Sequence, residues 1–255
     1  MFNLGIDVAK AKLDCALRLP NGKHRNKVVE NNHKGFIALS EWLLKQDAGS
    51  PRVCMEATGT YWEKVAEYLA GCGMLVSVIN PAQIKAFGAS RLVRTKTDKV
   101  DAQLIADFAH ERQPEPWLAP SPAEQALRAM VLRLEALQTM RQQESNRLDV
   151  AREAVRQGIV DHITWLDGQI KELIRAIKRH IDDDPDLRGK RELLDTIPGL
   201  GERTIPVLLS YYANPERFDS AKQAVAFAGL DPRQHESGSS VRGKPRMSKV
   251  GHSFL

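Results

Sequence analysis

Three short strand-like stretches at the start of the chain, followed by helical and strand-like segments in alternation, restrict the fold more than any other feature. Leu4-Gly5-Ile6-Asp7-Val8 is an apolar run interrupted by a single acid. Residues 12–19 largely alternate, with Leu13, Cys15, Leu17 and Leu19 on one face, the period-two signature of a strand. Pro20-Asn21-Gly22 forms a turn, and residues 23–30 continue as a third strand. Asp14 falls in the second strand, where an outward-facing acid is the simplest account. A helix with Phe36, Leu39, Trp42 and Leu43 on one face comes next. Residues 52–56 read as a buried strand that ends on Glu56, before the turn Ala57-Thr58-Gly59-Thr60. A helix over about 61–70, a strand over 75–79, a short helix opened by Pro81 and a last helix from Asp98 complete the series.

Three hairpin-linked strands and then alternating helices and strands make the ribonuclease H arrangement, an α/β mixed sheet with helices on its faces. In that arrangement the first strand, the end of the fourth and a late helix converge, and here those places hold Asp7, Glu56 and the pair Asp98 and Asp101. Asp98 and Asp101 are three apart at the start of an apolar-periodic run (Val100, Leu104, Ile105, Phe108), so they share a helix face. A lone acid in an apolar strand is costly to bury unless paired or metal-bound, and converging carboxylates repel one another without a cation between them. Two divalent ions roughly 4 Å apart would satisfy four carboxylates and polarise a phosphodiester. Lys85, Arg91, Arg94 and Lys96 lie just upstream with no acid among them, as a phosphate-holding arm requires. The competing account of Asp98 and Asp101 is a helix start, capped by Thr97 or Asp98, with acids in the first turn.

Beyond residue 113 the character changes. Pro114, Pro116, Pro120 and Pro122 make a stiff connector, with Pro122 opening a helix. Leu127, Met130, Leu134, Leu137, Arg141, Glu144, Leu148, Ala151 and Val155 step by three and four. After Gly158, so do Ile159, Ile163, Leu166, Ile170, Leu173 and Ile177. Two heptad seams with a break between them predict a helical hairpin or coiled coil, packed within the chain or against a second subunit. Residues 193–209 resemble a helix-hairpin-helix unit, in which Gly199 and Gly201 would let the backbone approach phosphates. The segment from Arg233 to His252 carries Arg233, Arg242, Lys244, Arg246 and Lys249 against one acid, Glu236. A net charge of +5 is compatible with nucleic-acid binding. No run reaches the apolar length of a membrane span, no signal-peptide order opens the chain, and Cys15, Cys54 and Cys72 lack metal or disulfide spacing. Reduced core cysteines in a cytoplasmic protein are the expectation.

GIDVAK around Asp7, EATGTYWE around Glu56, TDKVDAQLIADF around Asp98 and Asp101, IPGLG, AFAGLDP and SGSSVRG together span almost the whole chain. In these motifs the sequence resembles the transposases of the IS-one-ten insertion-sequence family, relatives of the pilin-gene invertases. The resemblance implies a RuvC-like domain over 1–113 whose tetrad Asp7, Glu56, Asp98 and Asp101 binds magnesium, with manganese as a substitute. It further implies a connector and coiled-coil segment over 114–187 and a mainly α C-terminal transposase domain over 188–255. Ser237, the first serine of SGSS, best matches the family's nucleophile, which attacks DNA and holds it as a phosphoserine. Members are similar in using a structured, element-encoded guide RNA and in assembling as dimers or tetramers. Phosphate contacts are expected from Lys85, Arg91, Arg94 and Lys96 on one arm, and from Arg242, Lys244, Arg246 and Lys249 on the other. Two alternatives stay open: a RuvC-like junction nuclease using metal-bound water, and a nucleic-acid-binding remnant without catalysis. Because the family's Gly-His motif, here Gly251-His252, leads into further helices, the expectation is a shortened transposase with a mobile tail from about Gln234.

Overall fold

The computed structural model describes residues 2–92, 95–233, 236–237 and 241–247. The chain forms two compact units, Met1–Ala119 and Pro120–Leu255. In the first, β1 (Asn3–Val8), β2 (Lys12–Arg18) and β3 (His24–Glu30) are followed by α1 (His33–Lys45), β4 (Arg52–Glu56), α2 (Glu63–Gly71), β5 (Val76–Ile79), α3 (Pro81–Ser90) and α4 (Asp98–Arg112). The strands make one mixed sheet in the order β3-β2-β1-β4-β5. β1, β2 and β3 pair antiparallel through short turns, whereas β1, β4 and β5 pair parallel, each parallel step needing a helical crossover. The α/β mixed sheet expected from the order of segments is therefore present.

Both faces of the sheet are covered, and they differ in chemistry. Leu4, Ile6, Leu13, Leu17, Val53 and Met55 pack against Phe36, Leu39 and Leu43 of α1 and Val65 and Leu69 of α2. The alternate residues point the other way, and there the sheet offers small or polar groups: Gly5, Asp7, Asp14, Ala16 and Glu56. Gly5 fixes how near α4 comes. A Cβ at this position would collide with the Ala102 carbonyl oxygen and the Ala106 amide, and would stand 2.9 Å from the Ala106 Cα. Ala16, Ala102 and Ala106 are fully buried in that seam. Cys54, Ile79, Ile84, Phe87, Ile105 and Phe108 continue it beneath α3 and α4. Cys15 and Cys54 are core residues as expected, but Cys72 is exposed, because it caps the solvent-facing end of α2.

The first stretch of the proline-rich connector stays with this unit. The Pro114 carbonyl accepts hydrogen bonds from Arg52 and Ser77 at 3.1 and 3.0 Å. The Trp117 amide donates to the Val76 carbonyl at 2.7 Å, and its ring stacks edge-on against Trp62, 5.5 Å between centroids.

The second unit is mainly helical: α5 (Pro122–Val150), α6 (Glu153–Asp183), α7 (Pro185–Asp195), α8 (Thr204–Tyr212) and α9 (Ala221–Phe227). Ser121 and Glu124 close a reciprocal capping box at the start of α5, with Pro122 in the first turn. α5 and α6 run antiparallel as a hairpin, joined by Arg141–Asp167 at 2.7 Å and by the His180 ring against the Ala123 carbonyl at 2.8 Å. Its break lies at Ala151 and Arg152, not at Gly158, which is inside α6. One glycine costs a helix interior only about 1 kcal/mol, which a helix of 31 residues absorbs. Leu127, Val131, Ile177, Ile181, Leu187, Ile205 and Leu209 form the core here.

Two-residue ladders end the described chain: β6 (Pro232–Arg233) pairs with β9 (Arg246–Met247), and β7 (Glu236–Ser237) with β8 (Val241–Arg242). The expectation of a mobile tail falls largely on residues outside the described ones. No helix among the described residues is long and apolar enough to cross a membrane.

Candidate active site

Four elements deliver acids to one end of the sheet. In the parallel ladder Ile6 pairs with Met55, so Asp7 and Glu56, one residue further on, emerge on the same face. Asp7 pairs directly with Asp14 across the β1–β2 hairpin. α4 begins over this corner, its N-terminus capped by the Thr97 hydroxyl, which accepts from the Val100 amide at 3.3 Å, and its first turn carries Asp98 and Asp101. Both accounts of these two acids thus meet in one geometry: they flank a capped helix start, and that start sits beside Asp7 and Glu56.

The electrostatics follow from the crowding. Burial, followed by the charges of Asp101, Asp98 and Asp14, pushes Asp7 up to about 6, with Lys12 opposing. Glu56 is raised by burial and then by Asp7 and Asp101, against the pull of Lys96. Asp101 is also raised, burial outweighing Lys96. Asp98 goes the other way, held down by its hydrogen bond to Lys12. The Lys12 ammonium lies 2.7 Å from Asp98 and 2.9 Å from Asp14. Among the described residues, no three carboxylate, imidazole or thiol groups close on a common point as they stand. The donor set itself suits a hard divalent ion, since it is all carboxylate oxygen and three of its members are raised by burial in spite of the nearby lysines.

Asp14 departs from the sequence reading. It does not face outward but is 8% exposed, because α4 covers the face that the alternation pattern left for solvent. Lys12 and Asp14 were both missed. Asp14 did have a signal in the hairpin itself: a turn centred between Asp7 and Asp14 brings those two opposite each other.

The basic residues are placed unevenly. Lys85 and Lys96 are exposed, and Lys96 is near enough to act on Glu56 and Asp101. Arg91 is already occupied, paired with Asp107 at 3.1 Å and with Glu111, its guanidinium 4.8 Å from the Phe87 ring centroid. Asp107 also takes Arg18 and His24, each at 3.0 Å, a hub that nothing in the sequence signalled. Arg94 and Lys249 lie outside the described residues. Gly199 adopts φ +93° in the turn between α7 and α8, and both it and Gly201 have open space where a Cβ would be. Lys244 and Arg246 are exposed, Arg242 is in β8, and Ser237 is in β7, where it pairs with Val241.

Residues 4–151 match a family profile described as a transposase, and residues 191–255 match the transposase IS116/IS110/IS902 family. Pilin gene-inverting proteins of Moraxella bovis and Moraxella lacunata are each 34% identical over 252 residues, 98% of this chain and 77% of theirs. The transposase for insertion sequence element IS1328 of Yersinia enterocolitica is 34% identical over 77 residues, 30% of this chain and 22% of that one. The Thermus thermophilus RuvC structure overlaps 46% of this chain and 100% of that one, at 16% identity and a TM-score of 0.35.

Proposed function

The chain belongs to the IS116/IS110/IS902 family of transposases, and on that footing we propose that it recombines DNA with an acidic metal centre and a serine nucleophile. The observation that carries this reading is the meeting of Asp7, Glu56 and the start of α4 at one end of a mixed sheet, where burial and mutual repulsion raise three of the four proposed ligands. The strand order and the helix-covered faces support a ribonuclease H-like, RuvC-like assignment for the first unit. Asp7, Glu56, Asp98 and Asp101 would hold magnesium, which when bound neutralises the phosphate and lowers the barrier to attack. Lys96 stands close enough to this corner to steady a backbone phosphate.

Ser237 is the proposed nucleophile, on the strength of the SGSS motif. Its hydroxyl oxygen forms a bond to phosphorus and gives up its proton, while a bond from phosphorus to a deoxyribose oxygen breaks and that oxygen takes a proton up. The number of phosphoester bonds is conserved, so the reverse step can rejoin a different strand. A guide RNA, an oligomeric assembly, a coiled-coil role for the α5–α6 hairpin and phosphate binding at the Gly199–Gly201 turn belong to the same proposal. So do functional boundaries near residues 113 and 187.

The test is a magnesium-dependent DNA cleavage assay resolved under denaturing conditions. A protein–DNA adduct should form, persist in Ser239→Ala and Ser240→Ala, and vanish in Ser237→Ala. Asp7→Asn and Asp101→Asn should lose both cleavage and adduct. Cleavage without any adduct would instead identify a hydrolysing junction nuclease.

A further inference from the structure

Lys12 and Asp14 have no part in the tetrad, yet they touch it. The two are two residues apart on β2 and so share the face that α4 covers. Asp14 is buried directly opposite Asp7, while the Lys12 side chain remains 45% exposed. From that rim the ammonium reaches both Asp14 and Asp98. Resting on the reading that the cluster binds a divalent ion, we propose that Lys12 is a positioning residue, a built-in counter-cation that Asp14 anchors and that withholds Asp98 until the ion draws it away.

The chemistry suits an exchangeable partner. Lysine presents a compact, well-hydrated point charge on a flexible stem, unlike the two-pronged grip of arginine. Asp98 is itself more than half exposed, so it can turn from the ammonium toward Asp101 with little rearrangement of α4. Five carboxylates, Asp7, Asp14, Glu56, Asp98 and Asp101, meet two nearby lysines, Lys12 and Lys96. The metal-free centre therefore keeps an unmet negative charge even with Lys12 in place. Asp14, being buried and fixed in the sheet, retains Lys12 after Asp98 leaves, so the device resets when the ion dissociates.

The experiment measures Mn2+ affinity of the full chain by calorimetry at fixed ionic strength. It compares the unaltered protein, Lys12→Met, Lys12→Arg, Asp98→Asn and the Lys12→Met/Asp98→Asn pair, with Asp7→Asn as the control for the centre. Lys12→Met should tighten Mn2+ binding by roughly five- to tenfold, the size of a modest coupling between two binding events. Lys12→Arg should not tighten it. In the Asp98→Asn background, Lys12→Met should change affinity by less than about twofold, since the competition it removes is for Asp98. Equal tightening in both backgrounds would reduce Lys12 to a diffuse charge and overturn the proposal. So would unchanged affinity in Lys12→Met while Asp7→Asn still abolishes binding, which leaves the metal centre standing. Absence of Mn2+ binding, or binding indifferent to Asp7→Asn, would overturn the metal centre and this proposal together.

Discussion

Replacing Gly5 by alanine tests whether the seating of α4 on β1 is as close as described. The added methyl meets main-chain atoms of Ala102 and Ala106, so no rotamer change can relieve the overlap. Ordinary contact begins at 3.4 Å; the Ala106 Cα, the most distant of the three atoms met, stands at 2.9 Å, and the Ala102 carbonyl oxygen and Ala106 amide are nearer still, so the helix must lift by about an ångström across its middle turns. Overpacking a tight core costs about 1–3 kcal/mol, and a backbone clash belongs at the upper end, near 3 kcal/mol. For a unit of this size that corresponds to a loss of roughly 10 °C in Tm. Tryptophan fluorescence reads it: Trp42, Trp62 and Trp117 lie in the first unit, and Trp165→Phe silences the second. Adding Ala106→Gly should not rescue the variant, because the collision is with the main chain. A Gly5→Ala protein within about 0.5 kcal/mol of the parent, the range of neutral surface substitutions, would refute the close approach.

Raising pH from about 4 to 6 in the metal-free protein should erode stability, because Asp7 holds its proton up to about 6 when folded and only to about 4 when unfolded. Asp7→Asn should therefore stabilise the metal-free protein by about 1–2 kcal/mol at pH 7 after discounting for solvent screening, with no gain below pH 4, as read by urea denaturation with a chelator. Asp107→Asn strands Arg18 and His24, each 17% exposed, and should cost about 2 kcal/mol in the same assay. For duplex DNA binding followed by fluorescence anisotropy, neutralising Lys85, Lys96, Lys244 or Arg246 should each flatten the salt slope by about 0.9 if the residue contacts a phosphate. Arg91→Gln should flatten it less, since Arg91 is already paired.

The α/β sheet and the placement of Asp7, Glu56, Asp98 and Asp101 were legible because each leaves a local mark: an acid breaking an apolar run, an acid ending a strand, two acids on one helix face. Asp14 was misread because alternation shows which residues oppose each other but not whether the second face is covered. Lys12, Asp107 and Gly5 act through partners 86, 89 and about a hundred residues away, and no local pattern encodes such pairings. The hairpin break was misplaced for a related reason: glycine is a conspicuous letter, whereas the turn at Ala151 and Arg152 is closed by Arg156 donating to the Leu148 and Ala151 carbonyls.

The connector's hold on β5 bears on how the molecule avoids sticking to itself. A sheet has two open borders, each a ready template for a foreign strand. Along β3 the border is guarded by charge, with Arg25 and Lys27 exposed. Along β5 it is guarded by cover: Trp117 occupies the Val76 carbonyl, and the Pro114 carbonyl takes the Ser77 hydroxyl. A fragment cut at residue 113 would uncover Val76 and one face of Trp62 together and would tend to aggregate, whereas one carried through Ala119 keeps its own lid.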